Sequence, residues 1–144
     1  RRQRQMCIRD SMMPPILYKM AGDWCRTQAA QNGPASYEWF FDRQLPGDAC
    51  GAWHSSDLWY WFGTLDHCWR PFTAQDKVLS AQMVSYLTNF AKHGDPNGTD
   101  VPVWLPIDAT QHKVLRLGEQ PARMGSASMP KLVWTMLTNK AVGE

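Results

Sequence analysis

Gly51-Ala52-Trp53-His54-Ser55-Ser56-Asp57-Leu58-Trp59-Tyr60-Trp61-Phe62-Gly63 is the stretch on which the reading of this chain turns. An imidazole changes charge in the physiological range, so His54 can take and return a proton near neutral pH. Taken alone, one histidine among tryptophans reads as a hydrogen-bonded filler sooner than as a base. Asp57 stands at the start of a short helix expected over Ser56 to Phe62, where a carboxylate favours the unpaired amides of the first turn. Trp59 and Trp61 are expected to pack between that helix and a sheet. Trp53, beside His54, is the better candidate for the wall of an apolar pocket.

Upstream, Tyr37-Glu38-Trp39-Phe40-Phe41 lies between Pro34 and Pro46-Gly47, and its nearly continuous apolar run predicts a short, largely buried strand. A strand feeding a loop with Gly47 and Gly51 is where α/β proteins place chemistry. Further back, apolar residues at Ile16, Leu17, Met20, Ala21 and Trp24 predict an amphipathic helix from Met12 to about Gln31. It is entered through Pro14-Pro15 and stopped by Asn32-Gly33-Pro34.

Downstream, Thr73 and Asp76 have the spacing of a helix cap, and Leu79, Met83, Tyr86, Leu87 and Phe90 then share one face. Gly94 and Pro96 stop this helix. Asp95-Pro96-Asn97-Gly98 is turn chemistry, and the glycosylation-type triplet Asn97-Gly98-Thr99 is read as part of it. Val103 to Leu105 and Lys113 to Leu117 are expected as a loose hairpin. Ser128 and Pro130 mark the start of a last helix carrying Leu132, Val133, Met136 and Leu137.

The chain has 144 residues, 44% of them hydrophobic and 19% charged, the profile of one globular domain. No stretch approaches the roughly 18 uninterrupted apolar residues of a spanning helix, and no secretory signal is recognisable, so a membrane partner is not expected. Eight Trp, four Tyr and five Phe exceed what packing so small a domain demands, so some should line a pocket or meet further protein.

Residues 1–11, Arg-Arg-Gln-Arg-Gln-Met-Cys-Ile-Arg-Asp-Ser, look like a basic arm but match an in-frame translation of a transposon adapter used in sequencing libraries. They hold four of the 15 Lys and Arg and one of the 13 Asp and Glu, so the net charge falls from +2 to −1 without them. The remaining basic residues form no stripe, and nucleic acid is not expected as a partner. On this reading residues 12–144 are the C-terminal segment of a longer protein.

Cys25, Cys50 and Cys68 have irregular spacing and are expected as partly buried free thiols. His67, His93 and His112 lie in a connection, at a helix end and in a polar loop. No histidine pair has metal-ligand spacing, so neither a metal nor another cofactor is expected.

The spaced words Gly51-x-x-His54-x-x-Asp57-Leu58-x-Tyr60-x-Phe62-Gly63, Leu79-Ser80-x-x-Met83-x-x-Tyr86, Asn89-Phe90-Ala91-Lys92-x-Gly94-Asp95-Pro96-Asn97 and Trp104-x-Pro106 occur in this order. Together they resemble the C-terminal third of type-B carboxylesterases, the cholinesterase-like branch of the α/β-hydrolase fold. The resemblance runs from about Tyr37 to Leu117. It implies an incomplete α/β fold of helix, strand, histidine loop, long helix, short hairpin and helix.

It also implies that His54 is the catalytic histidine of a Ser–Asp/Glu–His triad acting on a small-molecule ester. The nucleophile, the oxyanion loop and the acid would come from the N-terminal part of the same polypeptide, so the chain alone should be inactive, poorly soluble and open along the strand at Trp39. Asp57 matches a buried acidic position of the family, which suggests that it orients the loop by hydrogen bonding; the triad acid lies elsewhere. The stretches near Met13 and Ser128, which secreted animal members often join by a disulfide, contain no Cys, pointing to a microbial member of undetermined compartment. The competing readings are a cholinesterase-like adhesion protein with a broken triad, and a Trp-rich carbohydrate-binding module.

Overall fold

The computed structural model describes residues 14–49, 51–53, 55–110, 113–118 and 121–126, with side chains from Lys19 onward. The adapter-like segment, His54, Cys50, His112 and the helix expected from Ser128 lie outside the described residues.

The elements in chain order are helix α1 (Pro14–Ala30), strand β1 (Trp39–Phe41), the short helix α2 (Leu58–Trp61), a 3-10 turn (Leu65–His67), the long helix α3 (Ala74–His93), and strands β2 (Val114–Leu117) and β3 (Arg123–Gly125). The sheet order is β1-β2-β3. β1 runs parallel to β2 with Trp39 opposite Leu115 and Phe41 opposite Leu117, and β2 runs antiparallel to β3.

Helix α1 closes as its sequence dictates: Asn32 takes a positive φ of 53°, and the Gly33 N–H donates to the Gln28 carbonyl at 2.8 Å. The described part of its expected apolar stripe is open, however. Met20 and Trp24 are exposed while Gly22 is the buried position. Cys25 lies near Ser36 and Glu38, and burial raises the pKa of its thiol.

Strand β1 is shorter and more exposed than its composition predicts. Among the described residues β1 pairs on one side only and forms an edge of the sheet, and Trp39 is 41% exposed.

Helix α3 carries the cap expected of it. The Thr73 side chain accepts from the Asp76 N–H, the Asp76 carboxylate accepts from the Thr73 N–H, and Gly94 ends the helix at φ 70°. Leu79, Met83 and Tyr86 are buried, but Leu87 and Phe90, expected on the same buried face, stand exposed at its margin.

The expected hairpin of Val103–Leu105 with Lys113–Leu117 does not form. The Asn97 side chain occupies the Trp104 backbone instead: its Oδ1 accepts from the Trp104 N–H at 2.7 Å and its Nδ2 donates to the Trp104 carbonyl at 2.9 Å. The ladder groups at that position are thus satisfied without a strand. β2 takes β1 and β3 as partners.

The core lies between the sheet and α2–α3. Tyr60, Met83, Tyr86, Leu115 and Leu117 are fully buried at its centre, joined by Trp61, Leu79 and Trp104. The Trp104 indole donates to the Glu38 carbonyl at 3.2 Å, which fixes the aromatic layer to the start of β1.

Candidate active site

The loop from Asp42 to Asp57 connects β1 to α2 and is tied down at both stems by one carboxylate. Arg43, just past β1, donates from Nε to Asp76 Oδ1 at 2.8 Å; Tyr60, on α2, donates its hydroxyl to the same oxygen at 2.7 Å. Asp76 Oδ2 accepts from the Thr73 N–H at 2.8 Å and from its hydroxyl at 2.7 Å. Burial alone would raise the Asp76 pKa. The hydrogen bonds from Arg43, Thr73 and Tyr60 outweigh it and hold the carboxyl well below the usual carboxylate range. The Tyr60 hydroxyl is pushed above its usual range by burial and by the same carboxylate.

The first half of the loop is clamped from the segment before α3. Arg70 donates to the Pro46 carbonyl at 2.8 Å and to Asp48 at 2.6 Å, and its guanidinium lies 4.8 Å from the centre of the Trp69 ring. Gly47 has φ of 100°, and a Cβ there would come within 3.1 Å of the Trp69 ring, so only glycine suits this close approach.

The second half contains position 54. On either side of it, the Trp53 N–H donates to Ser56 Oγ at 3.2 Å and the Ser56 N–H donates to the Trp53 carbonyl at 3.0 Å. Ser56 is buried and Ser55 has a positive φ of 66°, an uncommon conformation for a residue with a side chain. Such local constraint is frequent where a loop must present one group in a fixed place.

Trp53 is half-buried, with its ring edge-to-face on Trp59 at 5.7 Å. Asp57 precedes α2 but makes no side-chain cap bond. Its Oδ2 accepts instead from the indoles of Trp39 at 3.3 Å and Trp61 at 3.2 Å, joining β1 to α2. Trp61 is buried in the core and Trp59 packs against it, as their sequence context implied.

Asp57 also lines an apolar groove of about 460 Å³ between α2 and α3, which Trp53 does not line. Thus Asp57 and Trp53 face different surroundings. Cys25 and Cys68 are free and half-buried, and among the described residues no three His, Cys, Asp or Glu side chains cluster as metal ligands.

The Arg43–Asp76–Tyr60 junction and the groove were not anticipated from the sequence. The capping pair did point to Asp76, but not to partners 33 and 16 residues away.

A sequence profile of the carboxylesterase family matches residues 10–133. Human bile salt-activated lipase is 36% identical over 88 residues, covering 59% of this chain and 11% of that protein. The rat bile salt-activated lipase is 46% identical over 73 residues, covering 49% and 12%. Rat acylcarnitine hydrolase is 43% identical over 51 residues, covering 35% and 9%.

The chain therefore spans about a tenth of the length of these relatives. In fold it is similar to an esterase of Clostridium hathewayi described as hydrolysing aliphatic aromatic polyesters, with a TM-score of 0.67 and 20% identity. That alignment covers 80% of this chain and 23% of the other. The helices and mixed sheet are accordingly part of an α/β-hydrolase fold, and the chain belongs to the carboxylesterase family.

Proposed function

We propose that this chain carries the general base of a serine carboxylesterase, with His54 in that role. The observation that supports it most is the family match across residues 10–133, which takes in the spaced sequence motif containing His54.

In acylation His54 takes the proton of a serine hydroxyl as the oxygen attacks the ester carbonyl. It then gives that proton to the departing alkoxide, releasing the alcohol and leaving an acyl-serine. In the second half it takes a proton from water, which attacks the acyl carbon, and returns it to the serine oxygen as the acid leaves. The serine, the oxyanion donors and the acidic triad member belong, on this reading, to residues upstream of this segment in the same polypeptide.

Trp53 would contribute to the wall receiving the apolar part of the ester. Asp57 would act on the loop indirectly, by holding Trp39 and Trp61 together.

The pH dependence of p-nitrophenyl ester turnover by the intact gene product tests this reading. The base must be neutral to act, so kcat/KM should rise across the interval of about pH 5 to 8 in which an unperturbed imidazole loses its proton. A flat profile over that interval would contradict the assignment.

A further inference from the structure

The turn that follows α3 takes no part in the reaction outlined above, yet two of its residues are fixed by separate constraints. Asn97 uses both ends of its carboxamide: Oδ1 accepts from the Trp104 N–H at 2.7 Å, while Nδ2 donates to the Trp104 carbonyl at 2.9 Å and to Asp95 Oδ1 at 2.7 Å. The Asn97 N–H donates to the same Asp95 oxygen at 2.9 Å. An amide offers an acceptor and a donor on one short planar group, which a carboxylate does not.

Gly98 is fixed by space. A Cβ there would meet Asn89 Nδ2 at 2.7 Å and Asp100 Oδ1 at 3.0 Å. Both neighbours are held by bonds of their own, Asn89 Nδ2 to the Pro96 carbonyl at 3.3 Å and Asp100 Oδ2 from the Ser85 hydroxyl at 2.8 Å.

Together these constraints put an asparagine before a glycine, and asparagine is among the chemically labile residues. The backbone nitrogen of Gly98 can attack Asn97 Cγ without hindrance from a Cβ on its own residue. The N–Cγ bond forms, the Cγ–Nδ2 bond breaks, and the proton of the attacking nitrogen leaves with Nδ2 as ammonia. One water then opens the cyclic imide, at Cγ to give an aspartyl residue or at the main-chain carbonyl to give an isoaspartyl one. No oxidant or further reactant enters.

The folded turn opposes the first step. Attack makes Cγ tetrahedral, which takes Oδ1 and Nδ2 out of the plane in which they meet Trp104, and the leaving nitrogen is bound to two acceptors. Neither product regains the full contact. The aspartyl form lacks the donor for the Trp104 carbonyl, and the isoaspartyl form carries the main chain through the former side chain. Trp104 is 4% exposed and belongs to the core, so the damage reaches the core.

We infer that Asn97 is a site of spontaneous deamidation that its bonds to Trp104 and Asp95 protect, so that opening of this turn exposes the chain to an irreversible change after which it closes less well. The inference is independent of the ester chemistry.

The test is incubation of the 144-residue chain at neutral pH over a urea series. Circular dichroism gives the folded fraction, and peptide mass spectrometry separates intact Asn97 from its aspartyl and isoaspartyl products. Conversion should be at least about tenfold slower without urea than in high urea and should follow the unfolding transition, since the reaction draws on the open population. Asn32-Gly33, the other Asn-Gly pair of the chain, is the reference, and in high urea both pairs should convert at comparable rates. Asp95→Ala removes the acceptor of both Asn97 N–H groups, so it should raise the rate without urea and leave the rate in high urea unchanged.

Chain already converted at Asn97 should unfold at lower urea than fresh chain. Equal conversion rates with and without urea overturn the inference, whether the bonds fail to protect or the chain has no folded state in which to form them. An Asp95→Ala rate equal to that of the parent chain, or an unfolding midpoint unmoved by conversion, overturns it as well.

Discussion

Asp76 joins the two stems of the candidate active-site loop to the start of the long helix, and its energetics follow from its surroundings. The carboxylate is fully buried and paired with Arg43. Removing one partner of a buried pair leaves the other charge uncompensated, at a cost of about 3–5 kcal/mol. Asp76→Asn should lower the urea midpoint markedly while Lys77→Gln, exposed beside it, should not; equal effects would contradict the role given to the pair.

The sign with pH is fixed by the direction of the shift. The folded pKa is depressed, so the stabilisation is complete above the ordinary unfolded value near 4 and is lost as pH falls through the folded one. Acid unfolding should accordingly become less steep in Asp76→Asn. The partners of Asp76 were hidden from sequence reasoning because no local pattern links positions 43, 60 and 76. His54 and Asp57 were singled out only as members of a spaced motif. The diversion of the Asp57 carboxylate to two indoles depends on where β1 places Trp39.

At the scale of elements, signals confined to a few residues were legible. The Thr73–Asp76 capping box, the Gly94 stop and the Asn32–Gly33 closure of α1 all appear where the sequence places them, since each is a bond between near neighbours. Periodicity gave the helices but not what covers them. Leu87 and Phe90 continue the stripe of α3, yet they rim a groove.

Val103–Leu105 has strand composition and no strand because Asn97 reaches its backbone first. That substitution of a side chain for a ladder can be graded. Asn97→Ala leaves both Trp104 backbone groups without this partner and should cost about 1–3 kcal/mol. Asn97→Asp keeps an acceptor for the N–H but has no donor for the carbonyl, so its loss should fall between wild type and alanine. Equal unfolding midpoints for the three proteins would show that the contact does not order the segment.

At the scale of the whole molecule, the described aromatic residues divide between core and surface, with Trp24 and Trp69 exposed away from the groove. Tyr60, Trp61, Tyr86 and Trp104 build the core; Trp39, Phe62 and Phe90 remain at the surface around the groove. Met20 and Trp24 on α1 and the edge of β1 add further apolar and polar surface that the described residues leave uncovered. The chain covers about a tenth of the length of the relatives it matches. The first helix, β1, α2 and α3 could be read from turns, caps and periodicity in their order, whereas β3 and the parallel pairing of β1 with β2 could not. Nor could the faces that stay exposed, because that depends on how the elements pack on one another.

The central claim concerns one imidazole. In the intact gene product, His54→Ala should lower kcat/KM for a p-nitrophenyl ester by at least about 10³-fold, because an unassisted serine hydroxyl is a poor nucleophile at neutral pH. The thermal midpoint should stay within a few degrees of the parent protein. Turnover that survives the substitution undiminished would contradict the account.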